Sequence, residues 1–121
     1  MPTEPQPVTL SQVVRRAVEV VDPTSEDAQL GDLEAQFEDD DQPITAIDTL
    51  DRRLATAAEA IDPDVEDPAV SMAVATVLYL AHRRDHLDSH PDDLLRLAAR
   101  AEWKDRPPAV VANWLAERGI D

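Results

Sequence analysis

The chain has 121 residues, no cysteine and a formal net charge of −15, from 26 acidic against 11 basic side chains. Its length suits one domain with enough chain to bury a core, and the missing thiol excludes disulfides, thiolate nucleophiles and cysteine zinc sites. Val, Leu and Ile total 28 against one Phe, one Tyr and two Trp, so any core is aliphatic.

Residues 1–8, with Pro2, Pro5 and Pro7, read as a flexible proline-rich tail lacking the basic and apolar regions of a secretory leader. Thr9-Leu10-Ser11-Gln12 has the form of a capping box. Leu10, Val13, Val14, Ala17, Val18 and Val21 then recur at helical spacing as far as Asp22-Pro23, where the residue before proline disfavours the α region. Thr24 or Ser25 is expected to cap a second helix with Leu30, Leu33 and Phe37 on one stripe and Asp27, Asp32, Glu34 and Glu38 outside. Gly31 in its middle costs about 1 kcal/mol relative to alanine. The run Glu38-Asp39-Asp40-Asp41 should end it, because negative charge opposes the dipole at a helix C-terminus.

Asp41 is expected to cap a third helix with Pro43 in its first turn. Ile44, Ile47, Leu50, Leu54, Ala57, Ala58 and Ile61 form its seam up to Asp62-Pro63. Pro68 then opens a segment with no formal charge as far as His82, and proline is tolerated at a first helical position. A stretch apolar on every face belongs inside a bundle, so the fourth helix, about Pro68–Leu87, is expected to be its buried centre. It is too short and too diluted by Ser71, Thr76 and His82 to cross a bilayer, which takes about 20 apolar residues. Ser89-His90-Pro91-Asp92 reads as a second capping box, leading into Leu94, Leu95, Leu97, Ala98 and Ala101 and ending near Trp103. Pro107-Pro108 restarts a sixth helix with Val110, Val111, Trp114 and Leu115 inside and Gly119 just past its end. The expected fold is all-α: one bundle of about six helices over residues 9–121.

Charge is unevenly spread. Residues 22–67 hold sixteen acids against Arg52 and Arg53, a balance of −14, whereas the rest of the chain is close to neutral. Such a field repels nucleic acid and anionic lipid and favours cations or a basic protein. Leu30, Leu33, Phe37, Glu38, Asp39, Asp40 and Asp41 combine apolar anchors with acids, a pattern suited to docking in a groove with a basic rim if the bundle leaves the stripe uncovered. Ile47, Leu50, Leu54 and Ile61 pose the same choice between internal packing and a homodimer.

Signatures of catalysis are missing. Two glycines leave no phosphate-cradling loop and no nucleophile elbow, and no cofactor motif is present. His82 and His86 lie one helical turn apart, a spacing that ligates transition metals; Arg83 and Arg84 beside them oppose a cation, and Pro91 separates His90 from the row. The acids from Asp62 to Asp67 begin like a calcium loop, but Asp67 stands where glycine is needed and Ala73 where a glutamate is. Arg96, Arg100, Lys104, Arg106 and Arg118 loosely suggest a DNA-reading helix pair, yet six acids in the same segment cancel them. The leading expectation is a cytoplasmic, non-enzymatic interaction or regulatory module that turns residues 22–67 toward a basic partner. A metal-binding protein using His82 and His86 is the second reading, and a salt-adapted domain whose acidity is environmental is the third.

Overall fold

The computed structural model describes residues 9–24, 26–38, 50–61, 67–83, 89–104 and 106–120. These form six helices: α1 (Leu10–Val21), α2 (Ala28–Phe37), α3 (Leu50–Ile61), α4 (Pro68–His82), α5 (Pro91–Trp103) and α6 (Ala109–Glu117). The all-α expectation is met. The tail over residues 1–8 and the expected start of the third helix, including Asp41, Pro43, Ile44 and Ile47, lie outside the described residues.

α1, α2, α4 and α5 each start where a side chain accepts an otherwise orphan backbone amide. Thr9 closes α1 reciprocally: its Oγ1 accepts from the Gln12 N–H at 3.3 Å while Gln12 Oε1 accepts from the Thr9 N–H at 3.0 Å. The cap of α2 is Asp27, not Thr24 or Ser25. The Asp22 carboxylate accepts the amides of Glu26 at 3.1 Å and Asp27 at 2.8 Å, which carries the chain past Thr24 in a turn. Asp27 then takes the amides of Gln29 and Leu30. Asp67 caps α4 through the Ala69 amide at 2.9 Å, with Pro68 in the first turn. For α5 the cap is His90 rather than Ser89, because Pro91 occupies the first helical position and His90 Nδ1 accepts the Asp92 amide at 3.2 Å. α6 closes with a Schellman motif: Ile120 N–H reaches the Leu115 carbonyl at 2.9 Å and Gly119 N–H the Ala116 carbonyl at 3.0 Å. Gly119 takes φ 74°, and Ile120 folds into the core.

One hydrophobic cluster joins all six helices. From α1 come Leu10, Val13, Val14, Ala17, Val18, Val20 and Val21, from α2 Leu30, Leu33 and Phe37, and from α3 Leu50, Leu54 and Ala57. α4 packs against each of the other five helices and buries eight of its fifteen residues. Its inner face includes Thr76, whose hydroxyl donates to the Met72 carbonyl at 2.7 Å and so enters the core satisfied.

Three further expectations need correction. α4 stops at His82 rather than near Leu87, because Arg83 leaves the helical region (φ −128°, ψ 65°) once the uncharged run is exhausted. Nor is α4 covered on every side: Ser71, Val74, Leu78 and Ala81 lie along one stripe that is only partly buried. On α5 and α6, Ala101 and Val110 face water, Val110 at 44 % exposure. Val110 lies off the stripe that α6 buries, Val111 with Leu115, whereas Ala101 continues the edge of the α5 stripe of Leu94, Leu95, Ala98 and Ala99 in the last turn of its helix.

Candidate functional site

The apolar stripe of α2 points inward. Leu30 and Leu33 are 0 % exposed and Phe37 is 4 % exposed, so all three are spent on the core instead of standing ready for a partner's groove. Glu38, just past the helix end, is exposed, whereas Asp39, Asp40 and Asp41 lie outside the described residues. The seam of α3 is spent in the same way: Leu50 and Leu54 are buried and Ile61 packs against the cluster, so they do not offer a second copy an apolar face. Ile47 lies outside the described residues.

What α2 and α3 leave outward mixes charge with small and neutral residues, Ala28, Gly31, Ala35, Gln36, Ala55, Thr56 and Ala60 among them. Asp32, Glu38, Asp51 and Glu59 are exposed and Glu34 is half-buried. Arg52 and Arg53 interrupt this face at a groove between the two helices, about 450 Å³ in volume and floored by Phe37 and Ala57. The Arg53 guanidinium lies 5.8 Å from the centre of the Phe37 ring, over its face. Other acids of the segment have structural duties. Asp22, Asp27 and Asp67 hold backbone amides at helix ends, and their charge there serves folding first.

A second concavity, about 620 Å³, lies where the α1–α2 corner meets α6. Its lining includes Asp22, Glu26 and Asp27 together with Trp114 and Arg118. Arg118 donates to the carbonyls of Val21 and, at 3.4 Å, Val20, the last residues of α1. Its guanidinium also lies 4.4 Å from the centre of the Trp114 ring. Trp114 lies on α6 and Arg118, four residues on, caps its end, so their contact was open to a reading of the sequence. The bond from Arg118 to a helix 97 residues earlier was not.

His82 is exposed at the end of α4, His90 is the cap of α5, and His86 lies outside the described residues. Among the described residues no three His, Asp or Glu side chains come together as a metal site. Of the basic residues near the C-terminus, Arg96 pairs with Asp93 at 3.1 Å and Arg118 holds α1, while Arg100, Lys104 and Arg106 are exposed around the α5–α6 corner. Among the described residues no helix is long and apolar enough to cross a membrane. No protein-family model, no curated protein and no solved structure matches this chain.

Proposed function

We propose that the protein is a cytoplasmic, non-catalytic interaction module whose outer α2–α3 face binds a basic protein through charge. The observation that supports this is the division of labour on α2. Leu30, Leu33 and Phe37 anchor the helix to the core, while Asp32 and Glu38 are exposed, as are Asp51 and Glu59 of α3. Anchoring fixes the carboxylates on a folded surface, so a partner does not have to order them on binding. Complementary charge of this kind acts mainly on association rate and partner choice and weakens as salt rises. The proposed contact residues are therefore the exposed acids Asp32, Glu38, Asp51 and Glu59 rather than the apolar stripe.

The test is recovery of the tagged protein from its native cells at low salt, run beside an Asp32→Asn, Glu38→Gln, Asp51→Asn, Glu59→Gln variant with an unchanged circular dichroism spectrum. A stoichiometric basic protein that releases as salt rises, and is lost with the variant, is the expected result. An empty wild-type eluate, or a partner kept equally by the variant, defeats the proposal.

A further inference from the structure

The four helices that start on a side-chain acceptor use two kinds of atom. Thr9, Asp27 and Asp67 offer oxygen, and a hydroxyl or carboxyl group keeps an accepting lone pair whether or not it carries a proton. At α5 the acceptor is an imidazole nitrogen: His90 Nδ1 takes the Asp92 N–H at 3.2 Å. A ring nitrogen accepts only while it is unprotonated, so this bond places the proton of the neutral ring on Nε2. A proton added to Nδ1 sets a donor against a donor. Pro91 brings no amide of its own, which makes Asp92 the first N–H of α5 and the imidazole its acceptor.

We infer that the start of α5 is a pH-sensitive joint, at which protonation of His90 uncaps this helix while the oxygen caps of α1, α2 and α4 persist. Two further features that exist only in the fold oppose an imidazolium here. One is the positive end of the α5 dipole. The other comes from α1: Arg16 Nη2 donates to the carbonyl of Ser89, the residue before His90, at 2.9 Å. Glu19, paired with Arg16 at 2.8 Å, offsets part of that charge. α4 also packs against α5, and its described end, His82 and Arg83, brings no acid. Within α5 itself, Asp92 and Asp93 attract a cation, Asp93 being paired with Arg96 at 3.1 Å. They are two and three residues from His90 in the unfolded chain as well, so their attraction largely cancels between the two states. Only the difference in proton binding between those states changes stability. The cap therefore contributes while His90 is neutral, and its contribution is lost as pH falls. Arg16 stays charged throughout and keeps its hold on Ser89, so the loosening is confined to the first turn of α5.

The experiment compares urea unfolding of the full chain with that of His90→Asn and His90→Ala between pH 8 and 5, the range over which imidazoles charge. His90 is exposed, so neither substitution disturbs the core. Asparagine is an N-cap that does not titrate, and alanine is no cap at all. All other carboxylates and imidazoles are common to the three proteins and cancel in their ratios. The expected result is that the folding equilibrium constant of His90→Asn, relative to wild type, rises about fivefold from pH 8 to 5, the scale of one lost N-cap. The ratio of His90→Asn to His90→Ala should stay constant over the same range. In ¹⁵N spectra the Asp92 amide should move with the His90 ring, while the capped amides of Gln12, Leu30 and Ala69 do not follow it. A wild-type to His90→Asn ratio that is flat with pH, or one that moves in favour of wild type as pH falls, overturns the inference. So does an Asp92 amide that ignores the protonation of the ring.

Discussion

Lys104 shows how far a single backbone angle can oppose a side chain. It follows α5 at φ 58° and ψ −118°, and the turn around it closes with the Arg106 N–H on the Trp103 carbonyl at 3.0 Å. This is the first central position of a II′-type turn, where glycine is the usual residue because a Cβ is strained at positive φ. Strain of that kind costs about 1–3 kcal/mol, and glycine's looser unfolded chain returns roughly 0.4–1 kcal/mol of it. Lys104→Gly should therefore stabilise the protein by about 1 kcal/mol, read as a higher urea midpoint at unchanged slope. A fall in the midpoint would mean that the lysine side chain contributes more than its backbone costs. The two natural glycines make a matched pair for the same argument. A Cβ at Gly31 or at Gly119 meets nothing within 4 Å, so space does not separate them; Gly119 alone of the two has positive φ, at 74°. Gly31→Ala, mid-helix in α2, should gain about 0.5–1 kcal/mol, and Gly119→Ala should lose about 1–2 kcal/mol because the left-handed region resists a Cβ. Thermal unfolding of both variants checks the opposite signs; a shared sign would place the control in side-chain space after all.

At the scale of the helix, what was legible depended on how far each determinant reaches along the chain. The capping box of α1 spans Thr9 to Gln12, Pro68 marks the start of α4 and Gly119 the end of α6, and all three could be read because each signal lies within a few residues of its effect. The start of α2 was misplaced because Asp22, the last cap of α1, reaches forward to the amides of Glu26 and Asp27 and delays the next helix. A periodicity of 3.6 has no term for that. Likewise the stripe of Leu30, Leu33 and Phe37 announced an amphipathic helix without saying whether this chain or another covers it. Burial decides the question, and a cost in stability measures it. Leu33→Ala should destabilise the protein by about 3 kcal/mol, within the 2–5 kcal/mol of buried leucine truncations. A cost below about 0.5 kcal/mol, the scale of an ordinary surface substitution, would mean that α2 spends its time undocked and that its apolar stripe is available to a partner.

Across the whole molecule, ties and charges run over distances that no local pattern contains. Arg16 reaches the Ser89 carbonyl at 2.9 Å and Arg118 reaches the end of α1, so the first helix is held from both the α5 entry and the C-terminal turn. Opposed to such ties is the surplus of acid in residues 22–67, which is large whether or not a partner exists. The two accounts of that surplus differ in how stability should respond to salt. Self-repulsion among carboxylates on one surface is a screened Coulomb term, and the Debye length falls from about 30 Å at 0.01 M to about 8 Å at 0.15 M and about 3 Å at 1 M. A module built to meet a basic partner should gain most of its stability between 0.01 and 0.15 M sodium chloride and then level off, because little repulsion remains to screen. A domain whose acidity answers a saline environment should continue to gain steeply through the molar range. Urea midpoints across 0.01–3 M sodium chloride distinguish the two, and we expect the plateau. The Asp32→Asn, Glu38→Gln, Asp51→Asn, Glu59→Gln variant sharpens the comparison: it should be more stable than wild type at 0.01 M and converge with it above about 0.5 M, because it removes repulsion that salt otherwise removes. Curves that continue to rise in parallel to 3 M would instead favour an environmental origin for the charge and count against a partner.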